Sequence, residues 1–150
     1  MYQRILILGF LSIFALLSIS VVPQTGALMI NVGTIEKMEG IIWVGIYDSE
    51  DNFLIKEKAI VEGFQVNPDG SQDHYLRCSF PQLRYGTYAI ALFHDINSNG
   101  ELDTNFIGIP TEPYGFSGMV HSKWRLPRFQ EVQFNFNQSE LSLEIELKEW

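Results

Sequence analysis

Leu141-Ser142-Leu143-Glu144-Ile145-Glu146-Leu147-Lys148 changes from apolar to polar at every step. A period of two puts the apolar side chains on one face and the polar ones on the other, the pattern of a half-buried strand and not of a helix. The same alternation recurs upstream. Val132, Phe134 and Phe136 alternate with Gln133, Asn135 and Asn137 in a strand expected over 129–136, and Leu76, Cys78 and Phe80 share a face over 74–80. Ile41-Ile42-Trp43-Val44-Gly45-Ile46-Tyr47-Asp48 is rich in β-branched and aromatic residues, with both faces apolar enough for partial burial. Thr87-Tyr88-Ala89-Ile90-Ala91-Leu92-Phe93-His94 reads as a strand with small residues on one face, and 28–35 and 59–66 complete the set. Turn clusters at 49–52, 67–70, 83–86 and 137–140 separate these runs. Beyond the N-terminal segment no stretch of about ten residues carries a 3.6-residue stripe. The chain is expected to be all-β, a single immunoglobulin-like or transthyretin-like β-sandwich of about seven strands, whose order the sequence does not reveal.

The N-terminus has its own grammar. Arg4 precedes an uncharged apolar run from Ile5 to Val22, and Thr25-Gly26-Ala27 offers small residues ahead of Leu28. This predicts a signal peptide over 1–27 with cleavage after Ala27; an uncleaved anchor is the alternative, because about 18 apolar residues lie at the lower edge of a bilayer span. No cysteine follows the run to accept lipid. Residues 28–150 then suffice for one domain, with no stable membrane insertion after cleavage. The formal charge of −8 becomes one unit more negative once Arg4 is removed. With no concentrated basic face, nucleic acid is excluded as a partner. Cys78 is the single cysteine, so no internal disulfide forms, and its phase with Leu76 and Phe80 predicts a buried structural thiol.

Chemistry concentrates where the 87–94 strand ends. Asp95-Ile96-Asn97-Ser98-Asn99-Gly100-Glu101-Leu102-Asp103 sets Asp95, Asn97, Asn99, Gly100 and Asp103 at positions 1, 3, 5, 6 and 9 of a calcium loop. Side-chain oxygens two residues apart converge on a hard cation when the backbone winds tightly, Gly100 permits the turn, and Glu101 supplies its carbonyl at position 7. Leu102, at position 8, is expected to anchor the loop to the core. Position 12 is Phe106 and no helix flanks the loop, so this is not an EF-hand; Glu112 is the nearest carboxylate to complete the site, with Asn105 or water as other donors. Few carboxylates imply weak calcium binding, of order 10⁻⁴ to 10⁻³ M unless Glu112 joins. Consecutive Asx-turns without metal are the alternative reading of the same residues.

The loop leads into Gly108-Ile109-Pro110-Thr111-Glu112-Pro113-Tyr114-Gly115-Phe116-Ser117-Gly118, where Tyr114 and Phe116 either present a platform for a sugar or peptide or roof the core. His121, Lys123, Arg125 and Arg128 gather positive groups, more in keeping with a solvated loop balancing local acids than with an anion site. His94 shares a face with Leu92, which suits a hydrogen-bonded, partly buried imidazole.

The stretch from Phe80 to Gly100, with its Gly86-Thr87-Tyr88 start to a strand and its His94-Asp95-Ile96-Asn97-Ser98-Asn99-Gly100-Glu101-Leu102-Asp103 loop, followed by Gly108-Ile109-Pro110 and Tyr114-Gly115-Phe116-Ser117, resembles the exported bacterial family named domain of unknown function 2141. The resemblance is close over 80–118 and loose elsewhere. It implies a periplasmic or secreted protein, of a kind common in Bacteroidetes, with no established activity. Gly118, where the family often has Asn, and Leu126-Pro127-Arg128-Phe129 depart from its pattern. Phe80 to Tyr88 is also similar to transthyretin-like and carboxypeptidase-associated domains, but the Tyr-Arg-Gly-Ser ending of the hydroxyisourate hydrolase is absent: the chain closes on Leu147-Lys148-Glu149-Trp150.

No nucleophile elbow, paired cysteine or histidine cluster is present. The function expected is a noncatalytic binding or accessory module of the cell envelope, with polysaccharide, peptide or an envelope protein as partner and Tyr114 and Phe116 as contacts. A structural protein stapled by calcium is the near alternative. A metal-assisted hydrolase using His94, Asp95, Asp103 and Glu112 is the remote one.

Overall fold

The computed structural model describes residues 24–67, 74–120 and 125–150. Among the described residues, eight strands form two sheets. β1 (Thr25–Gly33), β4 (Leu76–Arg84) and β8 (Glu140–Glu146) make a three-stranded sheet in the order β4-β1-β8. β2 (Ile41–Tyr47), β3 (Ile60–Gln65), β5 (Gly86–Asp95) and β6 (Tyr114–Phe116) make the second, in the order β3-β2-β5-β6, and β7 (Gln133–Phe136) also pairs β5. β5 is long enough to hold two short partners in succession, β7 along Gly86–Ala89 and β6 along Ala91–Phe93. Ser117 fills the gap between them. Its N–H donates to the Ile90 carbonyl, its Oγ accepts the Ile90 N–H, and the same hydroxyl donates to the Val132 carbonyl.

Alternation decides which faces meet. Leu28, Ile30 and Val32 of β1, Ile42, Val44 and Ile46 of β2, Ile90 and Leu92 of β5, and Ile145 of β8 belong to one buried cluster drawn from both sheets. Cys78 lies in it, fully buried, and burial, with Glu62 adding a smaller push, drives its thiol up to about 12, so it is an inert packing residue. Tyr47, Ala89, Phe129 and Val132, on the opposite side of the five-stranded sheet, form a second, smaller cluster with Phe53 and Phe116 packed against it.

Four boundaries differ from the sequence reading. β1 starts at Thr25, inside the segment expected to be removed: Thr25 pairs Arg84 and Gly26 pairs Leu83. β4 runs on through Pro81, which is tolerated because β4 is an edge strand and the register shifts there. Residues Phe129–Val132 form one helical turn, α1, in place of the start of a strand. Glu131 accepts the Arg128 N–H at 2.7 Å and caps that turn, while Phe129 and Val132 bury on one side of it. Tyr114–Phe116 is a strand within a stretch expected to be irregular. The segment 1–23, Pro68 to Gly70 of the expected turn, and His121 and Lys123 of the basic segment lie outside the described residues. Among the described residues no helix is long and apolar enough to cross a membrane.

Candidate functional site

β5 delivers Asp95 into the loop fully buried. Its Oδ1 accepts the Asn99 N–H at 3.0 Å; its Oδ2 accepts the Gly100 N–H at 2.8 Å and the Trp43 indole N–H at 3.1 Å. The backbone winds around this carboxylate through left-handed residues, Ser98 at φ 58 and Gly100 at φ 83. Burial alone raises a carboxyl pKa, but N–H donors from Gly100, Trp43, Asn99 and Ser98 outweigh it and hold Asp95 below its ordinary 3.8. Asn97 Oδ1 takes the Asn99 N–H and Asn99 Oδ1 the Glu101 N–H, two successive Asx-turns. Both amides donate to Asp103, at 2.7 and 3.0 Å.

Glu112 is buried and clamps the loop at two points. Oε1 accepts the Ile96 N–H at 2.9 Å and Oε2 the Asp103 N–H at 3.0 Å. Beyond Asp103 the chain doubles back on itself: Thr104 bridges Pro110, and the Asn105 carbonyl and side chain accept the N–H groups of Gly108, Ile107 and Ile109. The resulting tip holds Phe106 at 98% and Ile107 at 65% exposure.

The loop forms one wall of a groove of about 530 Å³ on the outer face of the five-stranded sheet. The pairing explains its shape. Trp43 stands opposite Phe93, and Phe93 opposite Tyr114, giving an aromatic ridge across three strands. Two residues along, Val61, Gly45, Ala91 and Phe116 are partners in turn, so the next row is low at its centre. Tyr47 and the second cluster close the far side. Leu54, Lys56, Leu102, Pro110, Leu126 and Trp150 supply the surroundings. Leu54 holds φ 63, a region costly for a branched side chain. Burial raises the Tyr114 hydroxyl, and burial with a contribution from Glu57 raises that of Tyr47, so both phenols stay neutral.

The expected site residues therefore divide. Asp95, Asn97, Asn99 and Asp103 converge; Glu101 joins them through its N–H, with its side chain exposed. Glu112 reaches the loop through two backbone N–H groups. Among the described residues no three His, Cys, Asp or Glu side chains gather in a metal-holding arrangement. Tyr114 and Phe116 share the outer face, their rings 5.9 Å apart, because Gly115 between them points inward against Ile145. Leu102 is 36% exposed and lines the groove, so it does not anchor the loop in the core as expected. His94 is fully buried, its Nε2 2.7 Å from the Glu39 carbonyl, which requires the proton on Nε2. Arg125 makes a bidentate pair with Glu131 at 2.7 Å. The sequence reading missed Trp43, Gly45, Ala91 and Phe93 as a surface. Their signal was a strand with two apolar faces opposite one with small residues.

Fold and site together define an all-β protein of two sheets with an apolar groove walled by an Asx-rich loop. Residues 30–144 match the family described as "Uncharacterized protein conserved in bacteria (DUF2141)", and the chain belongs to that family. No curated protein and no solved structure matches it.

Proposed function

We propose that this protein is an exported, noncatalytic binding module of the bacterial cell envelope, periplasmic or secreted, built as an immunoglobulin-like or transthyretin-like β-sandwich, which takes an apolar group into the groove. One observation carries the reading. A solvated sheet face ordinarily alternates to polar side chains, whereas this one turns Trp43, Ala91, Phe93, Tyr114 and Phe116 outward around a concavity of ligand size. An apolar face of this kind marks an interaction site. Its lining, made mostly of apolar and aromatic side chains, favours an apolar ligand or peptide side chain over a polysaccharide, whose many hydroxyls need partners.

Calcium acts in this reading as organiser of the wall. Asn97 Oδ1 and Asn99 Oδ1 each accept a single backbone N–H, which leaves a lone pair for a cation. With Asp95, Asp103 and the Glu101 carbonyl they form an oxygen set of low charge suited to millimolar calcium. Glu112 supports this set from behind. The Trp43–Asp95 hydrogen bond links the loop to the aromatic ridge, so order in one is felt in the other. A purely structural staple is the competing reading, favoured by how completely the loop satisfies its own hydrogen bonds. Hydrolysis is less well supported, since His94 and Glu112 are committed to backbone partners.

The test uses the neutral fluorophore N-phenyl-1-naphthylamine and calcium on the exported chain. Wild type brightens the probe, Ala91→Phe fills the trough and abolishes the signal while still folding, and millimolar calcium raises the melting temperature of wild type but not of Asp95→Ala. Unaltered probe binding by folded Ala91→Phe would end the groove reading. Absence of both calcium heat and a melting shift would end the cation reading.

A further inference from the structure

We infer that the groove's ligand is a single-chain amphipathic anion, of which a fatty carboxylate is the simplest, lying with its chain in the trough and its head at Lys56; this rests on the groove being a binding site. The charge of the lining is the first argument. In a chain of net charge −8, the groove is lined by two cationic side chains, Lys56 and Arg125, and by no acidic one. Arg125 is already held by both oxygens of Glu131. Lys56 Nζ donates to the Gly100 carbonyl at 3.2 Å, a neutral partner that leaves its charge and further N–H groups for an anion. Asp95 and Asp103 are paired with N–H groups of the loop and, for Asp95, of the Trp43 indole, and neither is bonded to Lys56.

The shape is the second argument. The row from Val61 through Gly45 and Ala91 to Phe116 crosses four strands, about 14 Å at ordinary strand spacing, and dips between Val61 and Phe116 at its two small central residues. It is bounded along its length by the ridge of Trp43, Phe93 and Tyr114 and on the other side by Tyr47. The Tyr47 phenol leans over Gly45, its hydroxyl 3.0 Å from where a Cβ would stand, so what remains between that ring and the ridge, over Ala91, is narrow and admits one flexible chain. The Trp43 indole N–H is taken by Asp95, so along the ridge only the Tyr114 hydroxyl is left to serve a hydroxylated ligand.

The experiment measures displacement of N-phenyl-1-naphthylamine from the delipidated exported chain by dodecanoate, dodecanol and dodecyltrimethylammonium below their micelle concentrations. Dodecanoate is expected to displace at roughly tenfold lower concentration than dodecanol, and the cationic analogue to be weakest. Lys56→Met should erase the preference for dodecanoate and leave dodecanol unchanged, while Lys56→Arg retains it. Equal potency of dodecanoate and dodecanol on wild type, or a preference that survives Lys56→Met, overturns the assignment of the head while the groove stands. Failure of all three compounds, with the probe itself unbound, removes the groove reading instead.

Discussion

A buried carboxylate is kept charged here by geometry. Asp95 lies fully out of solvent, yet donors from Gly100, Asn99 and Trp43 make ionisation easier than in water. Asp95→Ala leaves the Gly100 N–H and the Trp43 indole N–H without an acceptor, while the Asn99 N–H keeps Asn97 Oδ1, and is expected to lower stability by about 3 kcal/mol at pH 7, read as a shift in urea midpoint. The pH dependence follows from the direction of the shift. A carboxyl whose pKa is depressed on folding contributes stability that is complete above its unfolded value, near 3.8, and is lost as the pH falls through the lower folded value. The difference between wild type and Asp95→Ala should hold steady above about pH 5 and narrow below pH 3.8. A difference that stays constant down to pH 2 would mean that Asp95 carries no such linkage. Much of this residue's importance was legible, because the spacing of Asp95, Asn97, Asn99 and Gly100 dictates convergence. The indole partner was not, since Trp43 lies 52 positions away and its approach depends on strand pairing.

Short elements do what long ones cannot in this fold. β6 has three residues with a glycine at its centre, too few for alternation to be seen in sequence, and it still orients Tyr114 and Phe116. A Cβ at Gly115 would sit 2.7 Å from Ile145 Cγ2 and 3.1 Å from the Glu146 carbonyl, so this strand can lie against β8 only without a side chain there. Gly115→Ala is expected to cost about 2 kcal/mol by overpacking and to weaken probe binding as the two rings are displaced, both measured on one sample by thermal melts and fluorescence titration. An unchanged melting temperature would show that β6 floats free of β8. α1 misled for a related reason. Phe129 and Val132 bury at a spacing of three, but Val132, Phe134 and Phe136 continue in steps of two, and the longer alternation masks the single helical turn.

At the scale of the whole molecule, the first and last strands of the described residues lie side by side. β8 runs parallel to β1, Ala27 pairs Glu140, and β4 covers the other side of β1, so the N-terminal strand is the centre of its sheet. The alternation of 141–148 made β8 plain in the sequence, whereas the beginning of β1 was hidden by an apolar N-terminal segment that continues into the small residues Thr25-Gly26-Ala27. Those residues fit a cleavage site and a strand equally well as sequence. In the fold they belong to a strand: Gly26 has no room for a Cβ against the Gln138 and Ser139 carbonyls, the Ala27 N–H donates to Ser139 at 2.8 Å, and the Gln24 carbonyl receives the Tyr85 N–H at 2.9 Å. A chain beginning at Leu28 forfeits these contacts and the pairing of Thr25 and Gly26, about 2 kcal/mol at ordinary values for a backbone hydrogen bond. Two purified chains, one beginning at Gln24 and one at Leu28, should therefore differ in urea midpoint, with the longer more stable and the slope of the transition nearly unchanged. Equal midpoints would show that the sheet begins in effect at Leu28, and that removal of Thr25–Ala27 costs the fold nothing.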